Sequence, residues 1–247
     1  PEEFYRQITT KIARWHFTPT KLSQKNLIHE GVKKNLICVT GNTVIDALQW
    51  VLKSIDKNEN KKKNLDYNLN SILSFNWQKE NYILVTAHRR ENFGNSISQI
   101  CFALKEIALK YPNMHIVYPV HLNPNITMPV NEILSGYKNI HLIKPQEYES
   151  FVYLLKYSYL VLTDSGGIQE EAPSLGKPVL LMRDISERPE AIKAGTVELV
   201  GSNYKNIVKG VSRLVENKKH YQSMSLTHNP YGDGFACKRI MDVLRAI

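Results

Sequence analysis

The chain contains 247 residues and carries a formal net charge of +9 at pH 7. Its length is ample for a buried core, either in one large α/β unit or in two smaller domains. No apolar segment approaches the ~20 residues of a membrane span, and no signal peptide opens the sequence. These features exclude the class of proteins embedded in a membrane and lead us to expect a soluble, cytoplasmic protein.

The positive charge alone does not identify a partner. Much of the excess lies in lysine-rich stretches such as "KNENKKK", Lys57 to Lys63, which we interpret as a solvated linker. An anionic small molecule is at least as good a partner for this charge as a nucleic acid. We expect no nucleic acid partner, because the sequence shows no helix with a basic stripe and no strand with interleaved aromatic and basic residues.

The cysteines and histidines do not predict a metal site. Cys38, Cys101 and Cys237 lie far apart in apolar contexts, and none belongs to a C-x-x-C pair. We therefore interpret them as core thiols in a reducing compartment. His88 and His121 have no cysteine or carboxylate cluster at ligand spacing, so we expect no bound metal.

Residues 1–52 have the pattern of the end of an α/β domain. Helical spacing runs through "PEEFYRQITTKIARWHF", a short strand is predicted in "NLICVTGN", and an amphipathic helix in "TVIDALQWVLKSI". We assign residues 1–52 to a domain remnant and residues 53–70 to the lysine-rich linker.

After the linker, strands alternate with short helices. Apolar, β-rich runs predict strands in "NYILVTAH", "MHIVYPVH", "NIHLIKP", "YLVLTDS", "KPVLLMR" and "VELVG". Helical segments between them, joined by tight loops, predict a doubly wound parallel sheet with right-handed crossovers. We assign residues 71–228 to this Rossmann-like α/β domain, which we expect to carry the ligand site. Residues 229–247 form a terminal segment that we expect to pack back toward the N-terminal domain.

Four predicted strand ends carry polar and charged side chains. They are residues 87–92, 119–124, 145–147 and 163–167. Ligands of doubly wound sheets bind outside the carboxyl ends of the strands, so these segments should lie along one edge and form the binding site.

The sequence Asp164-Ser165-Gly166-Gly167 joins a predicted buried strand to a helix. Glycines let a ligand approach the backbone, and the free N–H groups of a helix start attract a diphosphate. Glu170 or Glu171, one turn later, then reaches a ribose diol. The same residues also fit a plain turn in which Ser165 caps the helix and the acids favour its dipole. From this motif alone, the two interpretations are equally good.

His88 follows another predicted strand and has two interpretations. It donates to a phosphate or a sugar hydroxyl, or it is a packed histidine with satisfied hydrogen bonds. Arg89 and Arg90 follow it, and one of them is expected to pair with Glu91 or another carboxylate.

Other candidates are open in the same way. His121 also fits a ligand or a structural role, with the structural role favoured. Arg188 either clamps a phosphate or bridges Glu187. Glu2 and Glu3 have the pattern of acids in the first turn of a helix.

Five segments, taken together and in order, resemble the non-hydrolysing UDP-N-acetylglucosamine 2-epimerases. They are "VTAHRRENFG", "YPVHLNPN", "TDSGGIQEEAPSLGKPVLLMRD", "ERPEAIKAGTVELVG" and "NPYGDGFA", and the resemblance runs from "PEE" almost to Ile247. It implies a two-domain fold of the GT-B type and interconversion of UDP-GlcNAc and UDP-ManNAc without a cofactor. The implied mechanism removes the C2 proton and expels UDP. A 2-acetamidoglucal stays bound, and UDP adds back after reprotonation on the other face.

The resemblance also implies roles for individual residues. The substrate-binding positions are the diphosphate contacts Ser165, Gly166 and Gly167, the ribose contact Glu171, the phosphate and sugar contacts Arg188 and His88, and the uracil contact at the backbone near Phe151. Glu2 matches an acid/base carboxylate, so Glu2 and His88 are the implied catalytic residues. Arg89 and His121 match contacts of a second UDP-GlcNAc that some bacterial members bind.

Most of the family's N-terminal domain, which supplies a phosphate loop and two further catalytic carboxylates, has no counterpart in this sequence. We therefore expect the chain to bind a UDP-sugar with little epimerase activity of its own, and to form a homodimer or otherwise self-associate through exposed apolar faces. The alternatives are a GT-B glycosyltransferase, a hydrolysing epimerase and a UDP-sugar binding module without activity.

Overall fold

The computed structural model describes residues 1–89 and 94–246. The chain divides into two compact units. The first, which we call the split unit, combines Pro1–Trp50 with Asn229–Ile247. The second, which we call the sheet unit, is Val51–His228.

The split unit begins with short elements that surround a two-stranded parallel sheet. His16 pairs with Ile37 and Thr18 with Val39 in that sheet. The elements in order are α1 (Glu2–Ile12), β1 (His16–Thr18), α2 (Lys21–His29), β2 (Ile37–Val39) and α3 (Thr43–Lys57).

The predicted first helix is too long, and two elements were missed. The backbone becomes extended at Ala13, and the following aromatic run forms β1 because it pairs with β2. The hydroxyl of Thr20 accepts a hydrogen bond from the Ser23 N–H at 3.1 Å and starts α2. This is the ordinary N-cap interaction of a helix.

The predicted linker, residues 53–70, is helical instead. Helix α3 continues to Lys57, and α4 (Glu59–Ile72) begins after Asn58, whose side chain accepts from the Lys61 N–H at 3.0 Å. Leu65 and Leu69 lie four residues apart on one face of α4 and are buried. The lysines therefore belong to the polar face of a packed helix, which composition alone did not reveal.

The sheet unit is built on six parallel strands, as predicted. Their order is β5-β4-β3-β6-β7-β8. The strands are β3 (Tyr82–Thr86), β4 (His115–Pro119), β5 (Ile140–Ile143), β6 (Leu160–Thr163), β7 (Val179–Leu181) and β8 (Val197–Leu199). The chain leaves β3 toward one edge and returns at β6 to build the other, so the strand order reverses between β3 and β6. Doubly wound sheets bind ligands outside the carboxyl ends of the strands at such a point.

Helices cover both faces of this sheet. Ile83 and Val85 pack into the core that α5, α6 and α10 share on one face. Tyr82 points to the other face, where its hydroxyl donates to the backbone oxygen of Leu154 in α7. The remaining helices are α5 (Asn95–Lys110), α6 (Pro124–Leu134), α7 (Tyr148–Tyr157), α8 (Ile168–Glu171), α9 (Pro189–Ala194), α10 (Tyr204–Glu216) and α11 (Lys218–Ser225). No helix in the described part of the chain is long and apolar enough to cross a membrane.

The terminal segment completes the split unit with α12 (Ala236–Arg245). The carboxylate of Asp46 in α3 accepts the N–H groups of Ala236 and Cys237 at 3.1 and 2.9 Å. These bonds hold the start of α12 against α3. Of the three cysteines predicted as core thiols, Cys101 is buried and Cys38 is partly buried, whereas Cys237 is exposed in the first turn of α12.

Candidate active site

The candidate site lies where β3 and β6 end side by side. The hydroxyls of Thr86 and Thr163, the last residues of these strands, are 2.6 Å apart. Beyond them the chain continues into His88 and Arg89 on one side and into residues 164–167 on the other. The structure therefore brings together two of the four strand ends that the sequence singled out, and a third, residues 119–124, reaches them through His121.

Asp164 joins these two loops. Its side chain has no exposed surface, and Oδ2 accepts the backbone N–H groups of His88 and Arg89 at 2.9 and 2.8 Å. The other oxygen, Oδ1, lies 3.3 Å from Nδ1 of His88. Sequence reasoning assigned no separate role to Asp164, although an acid directly after a central buried strand is a signal for one.

The Ser165–Gly167 turn leaves room for a ligand. The Ser165 N–H donates to the hydroxyl of Thr163 at 2.9 Å. A side chain at Gly167 would meet no atom within 4 Å, while one at Gly166 would lie 3.6 Å from Nη2 of Arg89. The N-cap of α8 is Gly167, with no side-chain cap, so the alternative in which Ser165 caps the helix is wrong. The turn thus combines open backbone with an adjacent cation.

The two acids of α8 have different partners. The carboxylate of Glu170 is 4% exposed and accepts from Nε of Arg188. The carboxylate of Glu171 accepts from the hydroxyl of Tyr148 at 2.6 Å. Burial raises the pKa of Glu171, the Tyr148 hydrogen bond opposes this rise, and the charge of Glu170 adds to it. Glu171 is therefore the acid left to accept from a ligand hydroxyl, and Tyr148 is a site residue that the sequence missed.

Arg188 does not bridge the carboxylate of Glu187, as one interpretation proposed. It contacts only the backbone oxygen of Glu187, at 3.3 Å, because its Nε is bonded to Glu170. The carboxylate of Glu187 instead accepts from both terminal nitrogens of Arg183, at 2.6 and 3.1 Å.

Glu187 also lies beside Arg89. One of its oxygens is 3.6 Å from Nη1 of Arg89, so Glu187 bridges two arginines. The hydrogen bonds from Arg183 hold the pKa of Glu187 below its ordinary value of 4.5. Arg89 is thus the arginine that pairs with another carboxylate, while the alternative pairing with Glu91 falls outside the described residues, as does Arg90.

His88 and His121 form a pair at this edge. Their ring centroids are 6.1 Å apart and their planes differ by 25°. Both side chains are exposed, so they are not the packed core histidines of the structural interpretation. The backbone N–H of Asn123 donates to Nδ1 of His121 at 3.2 Å.

Two predicted site residues lie on helices rather than at these strand ends. Phe151 is in α7, where its N–H donates to the backbone oxygen of Glu147 at 2.9 Å. The helix start before it has no side-chain cap, so the first-turn N–H groups are the backbone donors left for a ligand there. Glu2 is exposed in the first turn of α1, in the split unit.

The residues that the structure describes offer no cation site. No group of three or more histidine, cysteine, aspartate or glutamate side chains within 1–89 and 94–246 is arranged to hold a metal ion. The cluster at the ends of β3 and β6 instead combines arginines, histidines and open backbone, which suits an anionic ligand that carries hydroxyl groups.

The fold and the site define a Rossmann-like α/β protein of the GT-B type, and comparison with known proteins identifies its family. A family model described as UDP-N-acetylglucosamine 2-epimerase matches residues 1–245. The chain is 55% identical over 245 residues to the UDP-N-acetylglucosamine 2-epimerase of Yersinia pestis and 52% identical to that of Escherichia coli K12. It therefore belongs to the UDP-N-acetylglucosamine 2-epimerase family. Both matches include 99% of this chain but only 64% of the length of the relative.

Solved structures agree with this assignment. The chain is similar to the UDP-GlcNAc 2-epimerase from Neisseria meningitidis bound to UDP-GlcNAc, with a TM-score of 0.90 and 47% identity over all of this chain and 65% of that one. It is also similar to the S. aureus MnaA structure with UDP, with a TM-score of 0.88 and 39% identity over 99% of this chain and 64% of that one.

Proposed function

We propose that the chain supplies the UDP-binding part of an enzyme that interconverts UDP-GlcNAc and UDP-ManNAc. The observation that carries this proposal is membership of the epimerase family across residues 1–245. The cluster at the ends of β3 and β6 supports it, because its cations and open turn suit a nucleoside diphosphate.

The diphosphate occupies the Ser165–Gly167 turn in this proposal. The absence of a side chain at Gly167 lets the phosphate oxygens reach backbone N–H groups. Arg89, beside Gly166, and Arg188 supply the positive charge. Both arginines lie near carboxylates, Glu187 and Glu170, and these contacts orient their guanidinium groups for the diphosphate.

The nucleoside extends from the turn toward α7. Glu171 accepts from the ribose hydroxyls, and Tyr148 keeps its carboxylate in place by donating to Oε1. The uracil lies against the start of α7 near Phe151, where backbone donors are available.

Catalysis requires groups that remove a proton from C2 and return one to the opposite face. We assign Glu2 and His88 to this acid/base work. Removal of the C2 proton and cleavage of the C1–O bond to UDP form the C1=C2 bond of 2-acetamidoglucal, and the reverse steps after reprotonation give the epimer. Because the relatives are longer than this chain, we expect UDP binding but little epimerase activity from these 247 residues alone.

The second UDP-GlcNAc site implied for Arg89 and His121 stays a prediction. Arg89 lies beside Gly166, so it serves the diphosphate of the first ligand in this proposal. His121, the neighbour of His88, is then the side chain available to contact a second UDP-GlcNAc. The cytoplasmic location stays a prediction as well.

Calorimetric titration with UDP tests the proposal. We expect the wild-type chain to bind UDP and Glu171→Ala to bind it at least about tenfold more weakly, since a ribose acceptor is lost. The matched control is Glu132→Ala, which removes an exposed acid of α6 and should leave UDP affinity unchanged. Absence of UDP binding by the wild-type chain, or equal affinities for all three proteins, would overturn the proposed site.

A further inference from the structure

The two neighbouring histidines have opposite partners at Nδ1. Nδ1 of His88 lies 3.3 Å from Oδ1 of Asp164, and a carboxylate oxygen is an acceptor. A neutral His88 ring in this position carries its proton on Nδ1. Its Nε2 then presents a lone pair.

Nδ1 of His121 faces a donor instead. The backbone N–H of Asn123 points at it at 3.2 Å, and a backbone N–H cannot accept. A neutral His121 ring therefore keeps Nδ1 without a proton and carries the proton on Nε2. With the ring centroids 6.1 Å apart, one imidazole offers an acceptor and the other a donor at the same edge of the site.

Asp164 is held too firmly to turn away from His88. Its side chain is fully buried, and two backbone N–H groups hold Oδ2 at 2.9 and 2.8 Å. These bonds fix the plane of the carboxylate and keep Oδ1 close to the imidazole, 3.3 Å from Nδ1. The same two bonds hold the backbone of the loop after β3 at His88 and Arg89. Asp164 therefore orients both the backbone at His88 and the His88 ring.

We propose that Asp164 is a positioning residue that fixes His88 in the tautomer protonated on Nδ1, opposite to that of His121, so that the site is supplied with one acceptor and one donor imidazole before a ligand binds. In the proposed epimerase reaction, on which this use of the pair rests, Nε2 of His88 accepts a proton. The resulting imidazolium keeps its Nδ1–H directed at the carboxylate. His121 donates from Nε2 to a ligand oxygen.

A purely structural role for Asp164 makes a different prediction. If the carboxylate only anchors the two backbone N–H groups, an asparagine that keeps an oxygen at Oδ2 would preserve the loop and leave the His88 tautomer unchanged. If it sets the tautomer, the amide nitrogen that replaces Oδ1 becomes a donor toward Nδ1, and the proton of His88 moves to Nε2.

The test is long-range 1H–15N NMR of the full chain labelled at histidine nitrogens, recorded without ligand at a pH where the rings are neutral. His88→Gln and His121→Gln assign the two rings. We expect Nε2 of His88 and Nδ1 of His121 to resonate far downfield, as unprotonated ring nitrogens do. In Asp164→Asn we expect the two nitrogens of His88 to exchange positions, Nε2 becoming protonated and Nδ1 unprotonated, while both nitrogens of His121 stay unchanged. Asp184→Asn, an exposed acid after β7, is the control and should move neither ring.

Two results would overturn the inference. One is a wild-type spectrum in which both rings share a tautomer, which decides the matter even if Asp164→Asn does not fold. The other is a folded Asp164→Asn chain whose His88 keeps its proton on Nδ1. Since no ligand is present, these results are separate from the UDP titration, whose failure would remove the proposed function and leave the tautomer assignment standing.

Discussion

At the scale of single residues, the candidate site is made of charges that are already paired within the chain. Arg188 is held by Glu170, and Glu187 bridges Arg183 and Arg89. The sequence predicted which residue types would gather at the strand ends. It could not predict their partners, because residues such as Arg89 and Glu187 meet only through the order of the strands.

Glu171 is predicted to serve ligand binding at the expense of stability. Burial raises its pKa, which means that the folded chain disfavours the carboxylate relative to the unfolded chain. The contribution of this group to stability is therefore greatest at acid pH and is lost as the pH rises through its folded pKa. We expect Glu171→Gln to raise the urea unfolding midpoint at pH 7 while it weakens UDP binding about tenfold. A lower midpoint together with unchanged UDP affinity would contradict this.

Glu187 is predicted to stabilise the fold in the opposite pH range. Arg183 lowers its pKa, so its contribution is present above the ordinary carboxyl pKa and is lost as the pH falls through the lower, folded value. Since the carboxylate is half exposed, we expect Glu187→Gln to cost only about 1 kcal/mol of unfolding free energy at pH 7. Urea unfolding at pH 7 and in stronger acid measures it, with Glu132→Gln as control. A cost that is the same in acid would refute the ion-pair explanation.

At the scale of elements, the strands of the sheet unit were predictable and the polar helices were not. The four inner strands, β4, β3, β6 and β7, are short, largely apolar runs whose central residues are buried on both faces, a pattern that is visible in the sequence. The edge strand β8 is less buried and ends at the exposed Leu199. By contrast, the stretch Lys57–Lys63 has the composition of a linker, and only the burial of Leu65 and Leu69 reveals α4. Likewise, β1 could not be predicted from the sequence, because its three residues form a strand only by pairing with β2.

Helix α4 gives a direct test of this correction. Leu69 has no exposed surface, so Leu69→Ala should cost about 2–4 kcal/mol of unfolding free energy by leaving a cavity. Lys63→Ala, on the exposed side of the same helix, should change it by less than about 0.5 kcal/mol. Urea unfolding of both variants measures the difference. A flexible linker would show no effect of either substitution.

At the scale of the whole molecule, the sheet unit has a six-stranded parallel sheet covered by helices, whereas the described residues of the split unit contain a two-stranded sheet. The chain spans 64% of the length of its Yersinia pestis and Escherichia coli relatives. That these 247 residues bind UDP but show little epimerase activity alone stays a prediction. The resemblance in the sequence identified the family, but no motif could show which side chains of the split unit stay exposed.

Self-association is predicted to depend on α1. Phe4, Ile8 and Ile12 lie four residues apart along the helix and are 61%, 43% and 79% exposed. Exposed apolar stripes of this kind favour association. We expect sedimentation to show dimers or larger species whose proportion rises with concentration, and we expect Phe4→Ser combined with Ile12→Ser to shift the chain to monomer. A wild-type chain that is monomeric throughout would contradict this prediction.

The most direct measurement of the central claim is a crystal structure of this chain with UDP. The account predicts the diphosphate against the Ser165–Gly167 turn within hydrogen-bonding distance of Arg89 or Arg188, the ribose at Glu171, and the uracil beside the start of α7. UDP bound elsewhere on the chain, or an empty turn at saturating UDP, would contradict it.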